Sequence, residues 1–161
     1  MTAELTHLAE DGSVRMVDVS DKAITSREAV AAGTIYMAAE TLDLIVAGEM
    51  PKGNVLETAR IAGIMAAKRT HEMIPLCHPI AVTGVDLTFE AIEKGIVARC
   101  SVKVDERTGV EMEALAAIST SLLTVYDMCK AVDKSMVIGD IRLIKKTGGR
   151  SGTYIRPGET T

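Results

Sequence analysis

Ile80-Ala81-Val82-Thr83-Gly84-Val85-Asp86-Leu87-Thr88-Phe89-Glu90 and Gly95-Ile96-Val97-Ala98-Arg99-Cys100-Ser101-Val102-Lys103-Val104 decide the fold. Val82, Val85, Leu87 and Phe89 recur through the first stretch, and Ile96, Ala98, Cys100, Val102 and Val104 through the second. A strand turns successive side chains to opposite faces, so the pattern predicts two half-buried antiparallel strands joined by Ala91–Lys94. Beyond them, Leu115, Ile118, Leu122, Val125, Cys129 and Val132 repeat at about 100° per residue, the period of a helix. That predicts a long helix over 110–132, followed by a last strand over Met136–Ile144.

Upstream, residues 24–36 are mixed enough for helix or strand. Ile24, Val30, Thr34, Ile35 and Tyr36 favour strand. A helix from about Ala38 to Val46 is ended by Gly48 and Pro51. Asn54 with Glu57 forms a capping-box pattern that opens a second helix running to about Thr70. Within it Ala59, Ala62, Gly63, Ala66 and Ala67 leave little side chain, which points to close packing. Strand, helices, two strands, helix and strand is the order of a ferredoxin-like α/β sandwich of the α+β class: an antiparallel sheet with helices on one face. The chain reads as a single domain over 1–161. A core spans 21–146, with a flexible arm over 1–20 and a flexible tail over 147–161, both expected to be disordered without substrate. The open sheet face is expected to bury against another subunit.

The 161 residues are 47% hydrophobic and 25% charged, enough for a real core. With 2% aromatic residues and no Trp, that core must be built from Ala, Val, Ile, Leu and nine Met. No apolar run approaches the roughly 20 residues of a membrane span, and no signal-peptide pattern opens the chain. Cys77, Cys100 and Cys129 are odd in number and widely spaced, which suits a reducing cytoplasm. A net charge of −4 argues against general nucleic-acid binding.

Four loci carry chemistry. Asp127, Lys130 and Lys134 stand at i, i+3 and i+7 on the face opposite the apolar stripe, with Met112, Ser119, Leu123 and Tyr126 beside them. A wet face seldom needs such neighbours, though i, i+3 ion pairs are common on surfaces. Ile74-Pro75-Leu76-Cys77-His78-Pro79 holds a Cys and a His extended between two prolines. Zinc fails there on spacing. Asp105-Glu106-Arg107-Thr108-Gly109-Val110-Glu111-Met112-Glu113 is a turn into the long helix. Glu111 suits a first-turn carboxylate, while Glu113 is free to point into a pocket beside Met112. Lys145-Lys146-Thr147-Gly148-Gly149-Arg150-Ser151-Gly152, with Lys52-Gly53 as companion, is either a solvated tail or an anion nest.

Together these blocks closely resemble the cyclic pyranopterin monophosphate synthase family of molybdenum cofactor biosynthesis. The resemblance rests on Met16-Val17-Asp18-Val19, Lys52-Gly53, Ala59-Arg60-Ile61-Ala62-Gly63, Ala66-Ala67-Lys68-Arg69-Thr70 and Ile74–Pro79. It continues through Thr108–Leu115, Tyr126–Val132 and Gly148–Gly152, and it covers nearly the whole chain in order. It implies a lyase acting on a cyclised dihydro-GTP, in which a ribose carbon is joined to guanine C8, to give cyclic pyranopterin monophosphate and pyrophosphate. It implies a homohexamer, a trimer of dimers, with active sites at subunit interfaces. Asp127 matches the family's catalytic aspartate; Lys52, Lys130 and Lys146 match essential lysines. Leu76, Cys77, His78, Met112 and Glu113 match the purine-side pocket. Asn54 stands where many members have Asp, and Arg150 where many have Lys, which leaves Arg150 a less certain phosphate contact.

The implied rearrangement needs repeated proton transfers, for which a desolvated lysine of lowered pKa is suited. Lys130 and Asp127 are the expected acid–base pair, and His78 a second acid–base group or phosphate donor. Lys52, Lys146 and Arg150 are expected on the triphosphate. No cofactor is required, there is no resident metal, and Mg²⁺ can accompany the pyrophosphate. Two other classes fit parts of the chain: a non-catalytic module that binds a metabolite, and a nucleoside triphosphatase.

Overall fold

The computed structural model describes residues 11–159. Its elements are β1 (Thr25–Tyr36), α1 (Ala39–Ala47), α2 (Val55–Lys68), α3 (Thr70–Met73), β2 (Gly84–Ile92), β3 (Gly95–Glu106), α4 (Glu111–Cys129), β4 (Val137–Thr147) and β5 (Tyr154–Ile155). The strands form one five-stranded sheet in the order β2-β3-β1-β4-β5, and every neighbouring pair is antiparallel. This is the ferredoxin-like arrangement with one added edge strand.

The alternation in β3 does what it predicts. Ile96, Ala98, Cys100, Val102 and Val104 are all at most 1% exposed, and they pair in register with Ile35, Gly33, Ala31, Ala29 and Arg27 of β1. α4 lies across that face and presents Ile118, Leu122, Val125 and Cys129 at 0% exposure. α2 packs beside it. Gly63 is the point of closest approach: a Cβ there would run into Leu87 and stand 3.0 Å from the Ala117 carbonyl. That is the packing reason for a residue that costs a helix about 1 kcal/mol relative to Ala.

The opposite sheet face is charged rather than apolar. Glu28 accepts a hydrogen bond from Ser101 at 2.9 Å and pairs with Lys145 at 3.3 Å and Lys103 at 3.9 Å. Glu159 of the tail reaches Arg142 and lies 3.9 Å from Arg99. Among the described residues no helix is long and apolar enough to cross a membrane.

Several boundaries differ from the sequence reading, each for a local reason. α4 stops at Cys129 instead of running to 132, because the Val132 and Asp133 amides both return to the Cys129 carbonyl in a tight turn. Val132 is therefore 46% exposed and not part of the stripe. The second helix breaks at Arg69 and restarts as the single turn α3. β2 begins only at Gly84, and Thr83 before it ties to β3 by donating both its amide and its hydroxyl to the Lys103 carbonyl. β4 continues to Thr147, and the tail turns back to pair Lys145 with Ile155 and Lys146 with Tyr154, a fifth strand absent from the sequence reading. Parts of the expected arm and tail, residues 1–10 and 160–161, lie outside the described residues.

Candidate active site

α4 organises two clusters, one at each end. At its N-terminal end the proline-bracketed loop brings Leu76, Cys77 and His78 against Met112 and Glu113, with Val17 and Val19 of the arm closing one side. The pocket between them measures about 400 Å³. A second chamber of about 240 Å³ adjoins it, and Lys22, Thr108, Gly109 and Glu111 stand in the walls of both. This second chamber adds Arg27, Arg107, Lys146 and Arg150, a strongly cationic lining tempered by Glu28 and Glu111.

Glu113 is the unusual group here. It is 3% exposed, and burial pushes its carboxyl up to about 7, with the nearby Glu111 charge adding in the same direction. The Cys77 thiol is also pushed up, first by burial and then by Glu113, so it behaves as pocket wall rather than thiolate. His78 Nε2 stands 2.8 Å from the Val17 carbonyl. A carbonyl can only accept, so Nε2 carries a proton and Nδ1 is the ring nitrogen left for another partner.

The sign of the Glu113 shift makes a stability prediction. Between its unfolded value of 4.5 and about 7, the folded state holds a proton that the unfolded chain releases. Stability therefore falls as pH rises through that window and levels off above it, by on the order of 3 kcal/mol. Glu113→Gln is expected to flatten this slope and to raise Tm at pH 8. Thermal melts of both proteins from pH 4.5 to 8 check it, and parallel curves would contradict it.

The cationic chamber is built by long-range pairing. Arg27 donates from Nε to the Glu106 carbonyl and from Nη2 to the Arg107 carbonyl, both at 2.9 Å, and Arg107 Nε donates to the Lys22 carbonyl at 3.0 Å. These bonds tie β1, the turn after β3 and the arm into one rim. Gly148 and Gly149 adopt φ of +91° and +70°, and a Cβ on either would strike Ser26 or Arg27, so the backbone can lie directly on Arg27. Lys146 Nζ donates to Glu111 Oε1 at 2.8 Å, which fixes its ammonium at the wall between the chambers. Glu111, Lys22, Arg27 and Arg107 are the lining groups that sequence reasoning did not single out as site residues. Arg27 shows nothing locally: only its register opposite Val104 brings it beneath Arg107.

At the other end of α4, Lys52 from the α1–α2 loop donates to the Asp127 carbonyl at 2.9 Å and to its Oδ2 at 3.1 Å. Lys130 Nζ lies 2.7 Å from Asp127 Oδ1. The hydrogen bond from Lys130, then that from Lys52, holds the Asp127 carboxyl below its ordinary value, and Asp127 in turn raises the Lys130 ammonium. The lowered lysine pKa expected at the sequence level is thus reversed in the isolated chain. The cause is the hydrogen bond and charge of Asp127, which outweigh desolvation in a cluster where Lys52, Asp127 and Lys130 are 45%, 58% and 52% exposed.

The sequence-derived residues therefore fall into two groups. Leu76, Cys77, His78, Met112, Glu113, Lys146 and Arg150 surround the paired chambers; Lys52, Asp127 and Lys130 sit together elsewhere. Glu113 and Asp127 are separated by about 20 Å of helix, too far for one small molecule to touch both on one chain. Among the described residues no group of three His, Cys, Asp or Glu is placed to hold a metal ion.

Residues 16–149 match the MoaC family. The chain is 58% identical over 154 residues to the cyclic pyranopterin monophosphate synthase of Desulfitobacterium hafniense, covering 95% of this chain and 94% of that protein. It is 56% identical to that of Heliobacterium modesticaldum, over 94% of this chain and 97% of the relative. Similarity to that of Chloroflexus aurantiacus is 56%, over 96% of each.

Proposed function

The chain belongs to the MoaC family, and from that premise we propose that it is a cyclic pyranopterin monophosphate synthase, a lyase of molybdenum cofactor biosynthesis. Its substrate is a GTP-derived nucleotide, the cyclised dihydro-GTP whose ribose is already bonded to guanine C8. The observation that supports this reading best is the pair of adjoining chambers. One has apolar walls, a half-buried imidazole and a carboxyl poised near 7; the other is lined by Lys22, Arg27, Arg107, Lys146 and Arg150. A nucleotide with its base in the first and its triphosphate in the second satisfies both.

The chemistry then divides among named groups. Glu113 and His78 Nδ1 exchange protons with the purine as its imidazole ring opens and a pyrazine ring closes. A sugar hydroxyl attacks the α-phosphorus, the bond to the bridging oxygen breaks, and pyrophosphate leaves with its charge held by the cationic chamber. Lys130, steadied by Asp127 and Lys52, supplies the ammonium that gives and takes protons at the sugar side. The rearrangement carries no net oxidation, so the reading includes no redox cofactor and no resident metal; Mg²⁺ can travel with the triphosphate.

Because the two clusters lie at opposite ends of α4, the complete site takes its base-side and triphosphate groups from one subunit and Lys52, Asp127 and Lys130 from another. Packing against a partner would also desolvate Lys130 and bring its pKa down into a useful range. In this reading the enzyme is a hexamer of three dimers, acting in a reducing cytoplasm that keeps its three free cysteines unpaired, and the arm bearing Val17 closes on bound substrate. No nucleic acid or membrane takes part.

Incubation with the cyclised nucleotide is expected to release pyrophosphate, and plain GTP to release neither phosphate nor pyrophosphate. Hydrolysis of GTP would favour a triphosphatase instead. Lys146→Ala is expected to lower kcat/KM by about tenfold or more, chiefly through KM, because it removes a charged hydrogen bond to the triphosphate. Steady-state kinetics of the variant check this, and an unchanged KM would contradict the assignment of the cationic chamber.

A further inference from the structure

The turn that follows α4 contains a buried carboxylate that none of the chemistry above uses. Asp133 is 8% exposed. Its Oδ2 accepts from the Ala38 amide at 3.0 Å and from Thr41 Oγ1 at 3.3 Å. Its Oδ1 accepts from the Ser135 amide at 2.8 Å and from Ser135 Oγ at 2.6 Å. All four partners are neutral donors. A carboxylate is the one side chain of this size that can accept at both ends, since an amide would turn two N–H bonds toward donors. The same hydrogen bonds, that from the Ala38 amide first, hold its carboxyl down to about 2, so it is charged at every working pH.

What this carboxylate joins is informative. Ala38 and Thr41 belong to the start of α1, whose far end leads into the loop carrying Lys52. Ser135 and Asp133 belong to the turn that closes α4, three residues beyond Lys130, with the Asp133 amide on the Cys129 carbonyl at 3.0 Å. One buried group therefore ties together the two segments that deliver Lys52 and Lys130 to Asp127. An apolar residue in its place would leave the Ala38 and Ser135 amides without their acceptor, so the link between the two segments depends on the carboxylate.

We propose that Asp133 is a positioning residue: it locks the turn after α4 onto the N-terminus of α1, so that Lys130 and Lys52 converge on Asp127. The inference rests on the role given above to that cluster. Asp133 touches no substrate and acts only through the placement of the two ammonium groups.

Asp133→Asn tests it in the intact assembly. Expected results are a fall in kcat of about tenfold or more with KM changed by less than about twofold, and a downward shift of the Lys130 ammonium titration as it loses the Asp127 carboxylate that raises it. The second readout uses NMR of isotopically labelled lysine side chains without substrate, so it holds whatever the reaction is. Lysine signals other than those of Lys52, Lys130 and the adjacent Lys134 should not move. If Asp133→Asn reduces stability but leaves the Lys130 titration and kcat as they are, Asp133 is merely structural and the proposal fails. Should that variant not fold, Ser135→Ala removes only the 2.6 Å hydroxyl donor. It is expected to shift the Lys130 titration in the same direction with a smaller loss of kcat, and an unshifted titration overturns the proposal. Full turnover by a Lys130→Ala variant would instead refute the role of the cluster and leave the Lys130 titration result standing.

Discussion

Lys130→Ala is expected to lower release of pyrophosphate from the cyclised nucleotide by at least about 10³-fold, with Tm and oligomeric state unchanged. The separation of the two effects follows from where the side chain sits. Within one chain Lys130 is 52% exposed and its ion-pair partner Asp127 is 58% exposed, so the pair adds little to the fold of the subunit and no core packing is lost. Two lysines meet one aspartate at 2.7 Å and 3.1 Å. Asp127 offsets only one of their charges, and the net positive charge that remains suits a negative charge developing beside the cluster.

Asp127→Asn is the informative companion. It keeps the side-chain shape and removes the charge that raises the Lys130 ammonium, so it should lower kcat while leaving KM close to that of the parent. Discontinuous pyrophosphate assays over a range of substrate concentrations measure both. Turnover by Lys130→Ala within a few-fold of the parent would remove the acid–base role assigned to this cluster.

Much of this architecture was legible in the chain, and the illegible parts share a cause. Alternation in 95–104 and the helical stripe of 115–129 each report burial by a local repeat, so β3 and α4 could be read directly. Asn54 caps α2 through the Glu57 amide at 3.1 Å, as the capping box predicts. β5 could not be read, because two residues pairing with an edge strand leave no periodic trace. The tie between the turn after α4 and α1 runs from Asp133 to Ala38, a partner 95 residues away, and no local pattern announces it. Glu111 is the first-turn carboxylate its position suggests, but its pairing with Lys146 appears only once β4 delivers that lysine. The residue types of the site were evident, whereas their division into two clusters was not. Helical spacing fixes direction around an axis, yet Met112 and Lys130 share a face while standing at opposite ends of it.

The proposed function turns on that division: under it, neither cluster is a complete site on its own chain. Mixing two inactive variants tests it most directly. Lys130→Ala lacks the C-terminal cluster and Glu113→Gln the N-terminal pocket. If each site draws one cluster from each subunit, subunit exchange between them leaves about a quarter of the sites with both clusters intact, and activity returns. Mixing Lys130→Ala with Asp127→Asn, which damage the same cluster, should restore none. Recovery to about a quarter of parental turnover in the first mixture only is the predicted result. A first mixture as inactive as its components, with hybrid assemblies verified by mass spectrometry, would contradict the shared site.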